Sequence, residues 1–549
     1  MRRSLLVVLA VAGVAFFAGL DRAAISDADE AFYAEAAREM IESGDYLTPR
    51  YNYENRFQKP VLFYWAVAAA YAVAGVGAAA ARISSALSGI GIAAIAWYLG
   101  RRWFGERTGL IAGLIVSTSF GCVAMARLSL PDLPLAFFIT ASIAAGCVAL
   151  FEPGPVRSRP MLTAAMAAGL GFLTKGPIGL IVPLVVLIPI LLLERRDALR
   201  LGPTLLALFV FETIALPWYG AMTAVHGTAY LHSFFLTDNL ERFATTRFNY
   251  PRPAWFYVPI ILGGLLPWTA FAPLWIPGIV GFIRHRAAPS RATLWLLLWA
   301  VFPLLLFSVS VGKQPRYVLP ILPPVAVLLA AALDERLASA GRPAGGRRLL
   351  VGCGIAAGVV VIAAGIVLLM VPAAALGLDD RPLRTAGVAT SIAGVLAVLA
   401  AIWRASWIPA AVALAGLVQM LALQFGLFST PGTDVVERVA LELRTRLRPD
   451  MQWTTHDIFV RNLVFYVGSR QSGPFENDAG LIAFLRDQPA LTVMTLPEYE
   501  RLAPLVATPL YEIGRWRFFN ASALRIGTLV ERNPERELRT VVLVSNRPS

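Results

Sequence analysis

Charge is what this sequence has least of. Only 15% of its 549 residues are charged, where a soluble domain carries about 25%. With 57% hydrophobic residues and a mean hydropathy of +0.64, that excludes a soluble enzyme. Cysteine is nearly absent: Cys122, Cys147 and Cys353 all fall inside apolar runs, which excludes a disulfide framework or a cysteine zinc site. Histidine occurs four times. His226 and His232 are close in sequence, but a spacing of six without a third partner is a weak metal signal. Lysine is scarcest among the bases, with Lys59, Lys175 and Lys313 the only three in 48 basic residues.

Long apolar runs are abundant. They recur at 4–24, 79–100, 109–126, 133–151, 161–174, 177–193, 201–219, 256–282, 292–309, 317–333, 349–371, 386–403 and 407–428, and each approaches the length needed to cross about 30 Å of hydrocarbon. The expectation is a polytopic helical membrane protein with about 13 spans. Met1 to Leu20 resembles a signal peptide but lacks a good cleavage site, so it reads as a retained first span. The apolar tract Pro60 to Ala74 is short and ends in Gly75-Val76-Gly77, which suits an interfacial helix. With a cytoplasmic N-terminus, the inner loops then hold 18 cations and six acids, as the positive-inside rule requires. The outer loops nearly balance at 15 and 14, as does the segment after Phe428. The net charge of +13 is therefore a topology signal, and nucleic acid is not an expected partner.

Residues 1–428 read as a transmembrane domain and 429–549 as a small periplasmic α/β domain. In the latter, a helix over Asp434 to Arg446 precedes β-like runs at Leu463 to Val467, Leu491 to Thr495, Leu524 to Val530 and Thr540 to Ser545. His456-Asp457 reads there as a structural pair. Two outer segments of the membrane part are long, 21–81 and 220–255, and long ordered loops usually carry function. The first opens with Ser26 as a cap and Asp29 at the capping-box position, continues as a helix to Ser43, and closes at Gly44.

All three lysines fall at the outer membrane face in this topology. Lysine is a compact point charge suited to phosphate, although a cation at a span end also simply reaches for headgroups. Lys59 precedes Pro60, where the first amides of the interfacial helix could add to an anion site. Lys175 lies in Thr174-Lys175-Gly176-Pro177, and Lys313 in Gly312-Lys313-Gln314-Pro315-Arg316-Tyr317. Asp29 and Asp132 could serve only as helix caps. Converging with the cations they would form a charged pocket for a sugar phosphate. Glu212, inside a span, is a functional candidate by default.

The stretch Asp29-Glu30-Ala31-Phe32-Tyr33-Ala34-Glu35, then Ser43-Gly44-Asp45-Tyr46, Phe57-Gln58-Lys59-Pro60 and Tyr64-Trp65, resembles the first periplasmic loop of the bacterial aminoarabinose transferases of lipid A. Further matches are Pro131-Asp132, Thr174-Lys175-Gly176, Leu216-Pro217-Trp218, Arg242-Phe243, Trp255 to Pro259, Leu266-Pro267-Trp268, and Gly312-Lys313 with Tyr317. The resemblance covers about residues 30–320 and extends to the GT-C superfamily of lipid-linked glycosyltransferases, which includes the protein O-mannosyltransferases. The chain departs in carrying Gln58 where the family has an acid and Asp238-Asn239 where it has Glu-His, which takes ligands from any metal site there.

The resemblance implies a GT-C fold and transfer of 4-amino-4-deoxy-L-arabinose from undecaprenyl phosphate to a lipid A phosphate at the periplasmic face of the inner membrane, conferring polymyxin resistance. It implies Asp29 and Asp132 as catalytic acids, facing the sugar or holding a divalent metal ion. Tyr33, Arg56, Lys59, Lys175, Lys313, Arg316 and Tyr317 become substrate-binding residues, in a monomer surrounded by membrane lipids. One alternative is a polyprenyl-phosphate sugar transferase with a protein hydroxyl acceptor, in which Asp29 must act as base. Another is a lipid-phosphate transporter, against which stands the absence of internal repeats.

Overall fold

The computed structural model describes residues 2–548 apart from 26–27, 151–156, 195–200, 242–243, 246–250, 286–287, 340–344, 372, 374–378, 428–433, 459–460, 474, 476 and 520–537. The Ser26 cap, the Arg242-Phe243 motif and the Leu524 to Val530 run lie outside the described residues.

The membrane part is a bundle of helices. Each of the thirteen apolar runs contains helix, but among the described residues eight helices are long and apolar enough to cross a membrane, or ten when each of two bent pairs counts once. Two physical reasons separate this from the expected thirteen. Some helices are short: α1 (Arg2–Phe17) has 16 residues, about 24 Å of rise. Others bend: α5 (Glu106–Thr118) and α6 (Phe120–Ala126) meet at 57°, and Ala254–Gly264 turns by 115° against Trp268–Arg284. A hydropathy run counts residues along the chain and is blind to such reversals.

The first outer segment is ordered around α2 (Ala28–Ser43) and α3 (Leu62–Ala74). As expected, α2 ends at Gly44, whose φ of +69° suits glycine, and whose N–H donates to the Met40 carbonyl at 3.0 Å. A two-residue hairpin joins β1 (Arg50–Tyr51) to β2 (Glu54–Asn55), with Asn52 and Tyr53 both at positive φ, as a twisted hairpin turn demands. The apolar helix starts at Leu62 rather than Pro60. Its 13 residues rise about 20 Å, short of a crossing.

One buried ion pair seats α2 on the bundle. Arg82, on α4 (Ala78–Phe104), forks onto Glu30 with Nε to Oε1 at 2.7 Å and Nη2 to Oε2 at 3.0 Å. The guanidinium also donates to the carbonyls of Leu20, Ala23 and Ala24, while Ser129 N–H donates to Glu30. Both ions are buried, and this full set of partners is what makes such burial tolerable. The bundle continues with α7 (Asp132–Leu150), α8 (Ser158–Lys175), α9 (Ile178–Glu194) and α10 (Leu201–His226).

The segment after residue 433 is a small α/β unit. Its four-stranded sheet runs β3 (Gln452–His456), β4 (Ala490–Thr495), β6 (Leu538–Ser545), β5 (Tyr511–Phe519), with β3–β4 parallel and the other pairs antiparallel. The expected helix is present over Val435–Arg446, capped by Asp434. The run Leu463 to Val467, expected as a strand, is instead a helix, Asn462–Val467, closed by Gly468 in the left-handed region. Its residues are nearly all buried, so alternation could not distinguish the two states.

Candidate active site

Five segments bring charged side chains to one cavity at one end of the bundle, Asp238 coming from the His232–Glu241 helix. Its lining includes Lys59, Asp132, Lys175, Asp238, Arg316 and Tyr317. Lys59 arrives from the extended loop before α3. Asp132 is the first residue of α7, where the helix dipole favours an acid, and it is 5% exposed. Lys175 is the last residue of α8. The helix stops there because Gly176 has φ +82°, and a side chain at 176 would meet the Phe234 ring at 2.6 Å. Arg316 and Tyr317 sit in a 3₁₀ turn, Pro315–Ile321, directly before the Leu322–Ser339 helix.

Arg316 is the hub. It donates to Asp29 Oδ2 at 2.5 Å, and its Nε lies 3.6 Å from Asp132 Oδ2. The other oxygen of Asp132 accepts from Lys175 Nζ at 2.6 Å, and that ammonium lies 5.3 Å from the centre of the Tyr317 ring, a cation–π contact. Asp29, on α2 and outside the spans, is partly exposed. Burial opposes its ionisation, but the hydrogen bond and charge of Arg316 outweigh it and hold the carboxyl below the usual carboxylate range.

The other expected residues surround this cavity. Arg56 stacks 3.9 Å above the Phe32 ring and donates to the Tyr64 hydroxyl at 3.3 Å. Tyr33 is buried against Phe63 and Tyr64. Lys313 is buried and turns its ammonium onto the Ser310 carbonyl, while Ser310 and Gly312 line the cavity. The first amides of α3 are not in the lining, so Lys59 contributes as a point charge. Glu212 lies exposed on α10, away from the cavity. His226 bonds the Thr48 hydroxyl at 2.8 Å, and His232 is exposed. Asp238 and Asn239 belong to the lining although sequence reasoning weighed them only as departures from a family pattern. The signal available was an acid in the second long outer loop.

The donor set does not fit a divalent metal ion. Both oxygens of Asp132 face cations, and Asp29 is held by Arg316. Lys59, Lys175 and Arg316 in one cavity favour an anion instead. Among the described residues, the group with three donors near enough for a metal is His456, Asp478 and Glu498 in the C-terminal unit, where Arg501 already bridges the two acids. His456 thus pairs with those acids rather than with Asp457.

Comparison with known proteins places this geometry. Residues 24–231 match the family described as dolichyl-phosphate-mannose-protein mannosyltransferase. An undecaprenyl phosphate-α-4-amino-4-deoxy-L-arabinose arabinosyl transferase of Aeromonas salmonicida is 34% identical over 327 residues, 58% of each chain. One from Pseudomonas aeruginosa is 34% identical over 313 residues, 56% of each. The chain spans somewhat more than half the length of the curated relatives it matches. Among solved structures, ArnT from Cupriavidus metallidurans bound to undecaprenyl phosphate superposes with a TM-score of 0.77 at 24% identity, covering 99% of this chain and 98% of that one. The archaeal oligosaccharyltransferase AglB from Archaeoglobus fulgidus gives 0.52 at 12% identity, over 95% and 73%. The chain is thus a multi-pass membrane protein with the fold of the ArnT structure, similar over somewhat more than half of its length to the aminoarabinose transferases.

Proposed function

We propose that this protein transfers 4-amino-4-deoxy-L-arabinose from undecaprenyl phosphate to a phosphate of lipid A, at the periplasmic face of the inner membrane and as a single chain. The observation that carries the reading is the cavity in which Lys59, Lys175 and Arg316 meet Asp132 and Asp29. Two phosphates must be held beside one sugar carbon. A cation-rich pocket at the ends of the spans suits that task, and the names of the relatives give the donor of such a reaction, an undecaprenyl phosphate that carries this sugar.

Chemistry then restricts the roles. The acceptor phosphomonoester has a second pKa of about 6, so its oxygen is an anion at neutral pH and needs no strong base. That oxygen forms a bond to the sugar carbon while the bond from this carbon to the carrier phosphate breaks, releasing undecaprenyl phosphate with inversion. Lys59, Lys175 and Arg316 stabilise the phosphate charge, and Asp132 and Asp29 orient the cations and face the sugar. Asp29 is a poor general base, since its proton affinity is lowered by Arg316 while a base works best with a pKa near the operating pH. This disfavours the protein-hydroxyl alternative.

The sign of the pH dependence follows. A depressed carboxyl keeps the Asp29–Arg316 pair intact above the ordinary carboxylate value of about 3.9 and loses it only as pH falls through the lowered value. Activity of the wild type should therefore show an acid limb near pH 6 from the acceptor alone, and Asp29→Asn should lower kcat while keeping that limb. Loss of the acid limb in Asp29→Asn would instead restore the general-base reading. The direct test of function is mass analysis of lipid A from cells with and without the gene. A 4-amino-4-deoxy-L-arabinose increment only in the former is expected, and its absence would overturn the proposal.

A further inference from the structure

The C-terminal unit is tied to the first outer segment by side-chain to backbone bonds that converge beside the cavity. Asn462 Nδ2 donates to the Ile25 carbonyl at 2.8 Å, and Ile25 N–H to the Tyr466 hydroxyl at 2.6 Å. Tyr51 donates to the Arg461 carbonyl at 3.2 Å. Asn52, at the hairpin tip, makes a two-way pair with the Gln471 backbone at 2.9 and 2.7 Å. These bonds fix the start of the Asn462–Val467 helix against α2.

What they deliver is Arg461. Its guanidinium lies 4.6 Å from the centre of the Phe32 ring, while Arg56 stacks on the same ring at 3.9 Å. Phe32 lies three residues after Asp29 and two after Glu30, on the same helix. Arg461 is exposed, makes no ion pair among the described residues, and is close enough to add its charge to that of Arg316 acting on Asp29. Three guanidinium groups, Arg56, Arg316 and Arg461, therefore surround one partly exposed carboxylate. Like charges gathered on one ring repel unless an anion joins them, and a phosphomonoester brings a charge of about −1.5 to −2.

We propose that Arg461 binds the phosphate of the lipid acceptor, so that the C-terminal domain completes the acceptor side of the site. This rests on the transferase reading above. The carrier phosphate is already served by the lysines inside the cavity, whereas Arg461 is exposed outside that lining, close enough to Asp29 for its charge to act there, and so is available to a second phosphate. Its backbone carbonyl holds Tyr51, so changing the side chain leaves the docking bonds in place.

The test uses full-length protein in phosphatidylcholine nanodiscs, with Arg461→Ala and Arg461→Lys. Loss of one charge-assisted contact should raise the acceptor KM by roughly tenfold or more. The donor KM and the kcat at saturating acceptor should stay near wild type, and lysine should recover part of the loss. An unchanged acceptor KM overturns the proposal. A parallel rise in donor KM overturns it too and gives Arg461 to the carrier phosphate. A binding arm separates this from failure of the transferase reading: in a Lys59→Ala background, with excess undecaprenyl phosphate present to fill the cavity, short-chain phosphatidic acid should bind more tightly than short-chain phosphatidylcholine, and adding Arg461→Ala should lose that preference even if no sugar transfer is found. A preference retained in Arg461→Ala overturns the proposal in either case.

Discussion

Asp132→Asn should abolish turnover and also destabilise the protein, because it leaves Lys175 and Arg316 facing each other in a buried site. Asp132 is almost fully buried and accepts from one cation while facing the other. Removing one partner of a buried ion pair typically costs about 3 to 5 kcal/mol, whereas removing both together can be nearly neutral. The double variant Asp132→Asn with Lys175→Met should therefore recover much of the thermal stability in detergent while remaining inactive. Recovery of activity along with stability would mean that the pair is only architectural. Loss of activity without loss of stability in the single variant would contradict the burial argument.

Lys59→Ala is expected to lower transfer by roughly ten- to a hundredfold, the size of one lost hydrogen bond to a charged group, with membrane insertion intact. Lys59 lies in a loop, its ammonium donating to the Gln58 carbonyl at 2.8 Å, so its loss leaves no hole in the bundle. Lys59→Arg should be impaired as well, since a planar fork does not replace a compact ammonium. Cells with either variant should remain nearly as sensitive to polymyxin as a deletion strain. Near-normal transfer by Lys59→Ala would return this residue to the simpler role of a cation reaching for headgroups.

Much of the cavity was legible because its residues are unusual for their surroundings. Lys59, Lys175 and Asp132 stand out in a chain with three lysines and few acids near its spans, and Arg316 and Tyr317 come three and four residues after Lys313. The structure joins Lys59, Asp132, Lys175, Arg316 and Tyr317 in one lining, with Asp29 held to it by Arg316. Lys313 looked equivalent, but only the turn after Val309 sends its ammonium back to its own backbone. Arg461 carried no local signal, being one of 15 basic residues in the C-terminal part and meaningful only once that unit docks. The bends at Ser119 and after Gly264 were also hidden, since the apolar pattern continues through both.

The Glu30–Arg82 fork has a consequence for how the protein is made. Glu30 leaves the ribosome 52 residues ahead of Arg82 and 99 ahead of Ser129, so for a time its carboxylate has no partner and must keep its water. Only when α4 enters the membrane can the guanidinium dehydrate both ions and gather the carbonyls of Leu20, Ala23 and Ala24. The α2 segment is in this sense latched by the start of α4, and late. A nascent chain stopped before residue 82 should carry α2 in a form open to protease, while one that extends past residue 129 should protect it.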